Sequence, residues 1–136
     1  MNKKKLIALT MILTLLLTST AFAYADVQPR DTDIVSFNID RTSRTTATAT
    51  INVSFATLVD RYVVTMYLQK KVDGVWVSDT SNDDYVYSNT GTNARRFIFN
   101  HVYTDLESGV NYRIKCISKD YIGDSSYTLT CYSNQF

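Results

Sequence analysis

Residues 45 to 55 read TTATATINVSF, and this stretch constrains the fold more than any other. Ala47, Ala49, Ile51, Val53 and Phe55 fall on one face of an extended chain. Thr48, Thr50, Asn52 and Ser54 fall on the other. A period of two with one apolar and one polar face describes an antiparallel strand covering a core on one side only. No segment after residue 25 shows a comparable period of 3.6. The same region is rich in Thr, Val, Tyr and Phe, residues that favour strands.

Further runs of this kind follow at short intervals. Asp33 to Asp40 alternates with Val35, Phe37 and Ile39 on one face. Tyr62 to Val72 places Val64, Met66 and Leu68 inward. Val75 to Ser78, Asp84 to Ser88, Phe97 to Tyr103, Tyr112 to Lys119 and Ser126 to Ser133 complete the series. The spacing predicts an all-β domain, a two-sheet antiparallel sandwich of about seven to eight strands.

The first 25 residues have a different purpose. Lys3, Lys4 and Lys5 precede an apolar run from Leu6 to Leu17, and Ala23-Tyr24-Ala25 offers small residues before a cleavage point. This is the pattern of a signal peptide helix of the Sec type, and its n-region has a Gram-positive style. The apolar run is shorter than the roughly 20 residues that span a bilayer. The organisation expected is a signal peptide over 1–25, a short flexible segment over 26–32 and the sandwich over 33–136. Localisation would then be extracellular, with no membrane contact after cleavage.

After residue 25, eleven basic residues stand against thirteen acidic ones, a net charge of −2. That overall balance does not point to nucleic acid as a partner.

Leu106-Glu107-Ser108-Gly109-Val110-Asn111-Tyr112, ahead of Arg113-Ile114-Lys115-Cys116, resembles the corner before strand F of fibronectin type III and related immunoglobulin-like domains. In that family Leu plugs the core, Gly permits the turn, and the Tyr hydroxyl bonds to backbone a few residues upstream. The resemblance gives those roles to Leu106, Gly109 and Tyr112. Ser108 stands where the family often has Pro, and the early-strand Trp of fibronectin domains is missing from Thr45–Phe55. Leu68-Gln69-Lys70-Lys71, a turn, then Gly74-Val75-Trp76 is similar to a hairpin of small secreted Gram-positive proteins of unknown function. That likeness implies secretion and an Ig-like fold.

Cys116 and Cys131 are the only cysteines. A turn at Gly123-Asp124 pairs residues whose numbers sum to 247, which sets the two cysteines opposite each other. In an oxidising compartment a disulfide is the expectation. It would close a loop of about 15 residues worth roughly 3 kcal/mol. The position is a hydrogen-bonded one, where facing Cα atoms are about 5.5 Å apart rather than about 4.5 Å, and both separations lie within the range that a disulfide bridges.

Catalytic signals are sparse. His101 is the single His, at a strand's end without a neighbouring nucleophile, and Glu107 is the single Glu. Asp79-Thr80-Ser81-Asn82-Asp83-Asp84 is oxygen-rich but lacks EF-hand spacing, so a solvated turn is favoured over a calcium site. No cofactor motif or zinc pattern occurs.

The remaining signal is aromatic. Asp73-Gly74 is a strong type I′ turn, which places Lys71 opposite Trp76. With Val64, Met66 and Leu68 inward, Val75 and Val77 are expected inward, and Trp76 outward beside Tyr67. Lys71 can then cover the indole. Tyr85 and Tyr87 extend this patch if their strand joins the same sheet. The patch either caps the sandwich or meets a protein or glycan. The expectation is a secreted, non-catalytic binding module. A structural subunit of a surface assembly and a small secreted hydrolase are the alternatives.

Overall fold

The computed structural model describes residues 33–136, and the chain there is all-β. The signal peptide over 1–25 and the segment 26–32 lie outside the described residues. Six strands form one antiparallel hydrogen-bonded sheet that curls on itself. They are β1 (Ile34–Asp40), β2 (Ala47–Val72), β3 (Val75–Ser78), β4 (Val86–Tyr103), β5 (Tyr112–Ile122) and β6 (Ser125–Tyr132).

The 26-residue β2 is the spine. One edge carries β4 along both halves and then β3. The other edge carries β1 beside the first half and β5 beside the second, with β6 beyond β5. Two separate sheets of seven or eight strands were the sequence expectation. The runs Thr45–Phe55 and Tyr62–Val72 are instead one strand, and most of 84–103 is another.

The joint explains the difference. Between the pairs Ser54↔Arg96 and Val59↔Ala94, four residues of β2 face the single residue Arg95 of β4. An uneven ladder of this kind bends a strand without ending it. It also switches phase. Odd-numbered residues face the core from Ala47 to Phe55, and even-numbered ones from Tyr62 to Leu68. Aromatic rings fill the bend. Tyr62 stacks on Phe97 at 4.1 Å, and Phe55 lies 5.8 Å from Tyr62 and 6.0 Å from Phe97. Gly91 pairs with Tyr62, and a Cβ there would come within 2.5 Å of the phenol oxygen, so the ring rests directly on bare backbone.

The crossing from β4 to β5 is tied at several points. Leu106 is buried, and its N–H donates to Thr45 O at 3.0 Å. Gly109 has φ +79°, a conformation that side chains disfavour. Glu107 N–H donates to the Tyr112 hydroxyl at 2.9 Å, five residues upstream of that ring. Arg41 reaches across to the carbonyls of Val110 and Glu107, both at 3.3 Å. Tyr112→Phe is therefore expected to cost about 1 kcal/mol, because the Glu107 N–H loses its acceptor. Urea melts of the two proteins measure it.

The cysteine expectation is corrected here. Cys116 and Cys131 do pair directly across β5 and β6, but they are free thiols and not at bonding distance. Two pairs further on, Ser133 N–H donates to Ile114 O at 2.9 Å, which marks this parity as the hydrogen-bonded one. Side chains at such sites are set further apart than at the alternate sites. Cys116 is buried and Cys131 is half-buried. The neighbouring Cys131 sulfur and burial push the Cys116 thiol up, and the Cys116 thiol beside it holds the Cys131 thiol down. Alkylation after unfolding, with no reductant present, is expected to add two groups to the chain. Mass spectrometry reads the number, and an unlabelled chain would mean a bridge.

Candidate binding face

The Asp73-Gly74 turn positions Trp76. Both residues have positive φ, +49° and +83°, as a type I′ turn requires. The turn sets the register Lys71↔Trp76, and Trp76 lies half-buried on the outer face of the sheet. The Lys71 ammonium sits 5.7 Å from the ring centre. The closer cation is Arg113 of β5, whose guanidinium lies 4.6 Å from Trp76 and 4.3 Å from Tyr132 of β6. Arg113 Nε also donates to Gln69 Oε1 at 2.8 Å, which fixes the plane of the guanidinium. One cation thus joins three strands through two rings, each such contact contributing about 0.5–2 kcal/mol.

The arrangement repeats at the other end of the face. Arg61 stacks on Tyr121 at 3.9 Å, and Lys119 lies 5.3 Å from the same ring. Tyr67 pairs with Lys115 between the two groups and is half-buried on this face.

Two residues expected in the patch are elsewhere. Tyr85 is buried in a short 3-10 turn, Asp83–Tyr85, and its hydroxyl donates to Thr104 O at 2.8 Å. Tyr87 pairs with the inward residue Met66, so it faces the interior of the curl and stacks on His101 at 4.4 Å. Val75 and Val77 were expected inward. They have that parity but are 62% and 39% exposed. Neither belongs to the buried core cluster nor packs against it.

His101 does not meet a nucleophile. Its Nε2 is 2.8 Å from Asp84 O, and its ring lies against Tyr87 and Tyr103. Asp79 is buried, and its Oδ1 accepts from the Ser81 hydroxyl and N–H at 2.7 and 3.1 Å. Burial opposes its ionisation, but these bonds and the Lys70 ammonium at 3.4 Å outweigh that and hold the carboxyl below its ordinary value. The loop oxygens are thus partly consumed within the protein. Among the described residues no group of three His, Cys, Asp or Glu side chains is placed to hold a metal ion.

Arg113, Tyr132, Arg61 and Tyr121 were missed in the sequence. The hairpin sum of 247 does pair Lys115 with Tyr132. Gln69 and Arg113 are separated by 44 positions, however, and no local signal brings β2 beside β5. Comparison with protein-family models, with curated proteins and with solved structures finds no match for this chain.

Proposed function

We propose that the chain is an exported, non-enzymatic binding module with an Ig-like sandwich fold, and that it meets its partner with the outer face of β3, the second half of β2, β5 and β6. The observation that carries this reading is the Trp76–Arg113–Tyr132 stack, a pre-organised set of the residue types that dominate interface energetics. The sandwich reading is supported by the bends in β2 and β4. They leave β1 and the first half of β2 beside the second half of β4, while β3, β5 and β6 flank the second half of β2. The corner at Leu106, Gly109 and Tyr112 joins these two groups. Export is supported by the N-terminal pattern of Lys3–Lys5, an apolar run and an Ala-X-Ala site. The non-catalytic reading is supported by the commitment of His101 to a carbonyl and two rings.

Residues 26–136, which include every described strand, are the protein to test. Incubated with isolated bacterial cell walls and concentrated extracellular proteins, they are expected to be retained by one fraction. Trp76→Ala and Tyr132→Ala are expected to weaken retention by about 2 kcal/mol or more while circular dichroism stays unchanged. Equal retention of all three proteins would overturn the assignment of the face.

A further inference from the structure

On the outer face just described, the charged side chains of the strands are all positive. Arg61 and Lys71 of β2 and Arg113, Lys115 and Lys119 of β5 share the parity of Tyr67 and Tyr121, opposite to the inward residues. The outward positions of β3, β4 and β6 in this region carry Trp76, Ser78, Val86, Ser88, Thr90, Thr128, Thr130 and Tyr132, and no carboxylate appears among them. Over residues 33–136 the chain has ten basic and eleven acidic residues. Half of these bases therefore occupy a face on which no acid stands among the described residues, in a region whose net charge is −1. Asp120, the acid of β5, is buried on the opposite side of that strand. The ion pairs formed among the described residues, Lys70 with Asp79 and with Glu107, lie elsewhere.

We infer that this face binds a linear anionic polysaccharide, a glycan chain carrying repeated carboxylate or sulfate groups. The inference rests on the proposed function and names the partner class for the same face. Charge gives the sign of the ligand. Like charges held together without counter-charges raise the local concentration of anions. The spacing points to a polymer. Arg113 and Lys115 are two residues apart on one strand, about 7 Å, and Lys119 is about 14 Å beyond Lys115, so β5 presents a row of positive charge along its length.

The stacking favours glycan over nucleic acid. Single-stranded nucleic acid is held by bases stacked on free aromatic faces. Here Arg113 lies on the faces of Trp76 and Tyr132, and Arg61 and Lys119 on that of Tyr121. A guanidinium stacked on a ring still presents its N–H edge to an oxyanion. The borders of the face are hydroxyl-bearing. Thr65 and Ser88 bond to each other at 3.0 Å across β2 and β4, and Thr128 and Thr130 line β6. Such borders suit sugar hydroxyls and offer little to a lipid bilayer.

The test uses residues 26–136 with five probes: a heparin-derived octasaccharide, a polygalacturonate oligomer, neutral dextran, oligo-dT and phosphatidylglycerol vesicles. Trp76 is the only tryptophan, so its fluorescence reports the face. The two anionic oligosaccharides are expected to bind, dextran is not, and the affinity is expected to fall as salt shortens the reach of the charges. The double variant Lys115→Glu/Lys119→Glu is expected to weaken binding by about 100-fold or more, which is roughly 2.7 kcal/mol. Arg95→Glu/Arg96→Glu makes the same change in net charge away from the face, and is expected to stay within about twofold of the parent. Equal losses in the two variants would overturn the inference, and so would tighter binding to oligo-dT or vesicles, or no binding to either anionic oligosaccharide. If neither oligosaccharide binds but Lys115→Glu/Lys119→Glu still abolishes retention by the wall or protein fraction, the glycan inference fails and the proposed function stands. If that retention is also unchanged, both fail.

Discussion

Raising the pH from about 9 to about 12 is expected to unfold this chain. Four phenols, those of Tyr62, Tyr85, Tyr103 and Tyr112, are held above their ordinary value, chiefly by burial, and Tyr85 is pushed up to about 12. The Tyr85 hydroxyl donates to Thr104 O, a bond that only the neutral phenol can make. Among the described residues the buried Tyr103 hydroxyl has no hydrogen-bond partner, so none of them would stabilise a phenolate there. The folded state therefore keeps protons that the unfolded chain releases near pH 10. Stability from these groups is fully present below about pH 10 and is lost as the pH rises through the folded values. The loss is about 1.4 kcal/mol per pH unit for each tyrosine ionised only in the unfolded chain. Several such groups acting together rival a typical total stability of about 5–15 kcal/mol. Phenolate absorbance and far-ultraviolet circular dichroism, followed together, are expected to change in one cooperative step for these four. Ionisation of every tyrosine with the sheet signal intact would contradict the packing described.

Leu106→Ala is expected to destabilise by about 2–5 kcal/mol. Leu106 is 2% exposed and sits where the chain leaves β4 and crosses to β5. Truncating it opens a cavity under the crossing, and the Leu106 N–H to Thr45 O bond limits how far the backbone can settle into that space. Leu58, 60% exposed in the bend of β2, provides the control. Leu58→Ala is expected to change stability by less than about 0.5 kcal/mol. Chemical denaturation of the three proteins measures both values. A Leu106 variant no weaker than the Leu58 one would remove Leu106 from the core.

The local features of this fold are legible in the sequence, and the features that depend on distant pairing are not. The apolar face of Thr45–Phe55 was visible because period-two alternation is local, and all five of its members are buried. The two hairpins were visible for a similar reason, since a two-residue turn sets register by arithmetic, giving Lys71↔Trp76 and Cys116↔Cys131. The unbroken passage of β2 through residues 55–58 was not visible. Its phase switch looks like a strand ending, and only the facing β4 shows that pairing resumes at Val59. The inward turn of Tyr87 depends on its pairing with Met66, which is equally non-local. Much of the candidate face was hidden for the same reason. Trp76 and Lys71 follow from one turn, whereas Arg113 reaches Trp76 only because β5 lies beside β2. The register of the two cysteines was legible from the turn, whereas their state as free thiols was not.

In the proposed function the partner meets the outer face, which carries no acid among the described residues, and not the half-exposed aromatics inside the curl. Titration of isotope-labelled residues 26–136 with the heparin-derived octasaccharide, followed by nuclear magnetic resonance, tests it most directly. The signals of Lys71, Trp76, Arg113, Lys115 and Tyr132 are expected to shift in a saturable manner. Those of Arg95, Arg96, Phe99 and His101 on β4 are predicted to stay in place. Shifts concentrated along β4, with Trp76 and Arg113 unchanged, would contradict it.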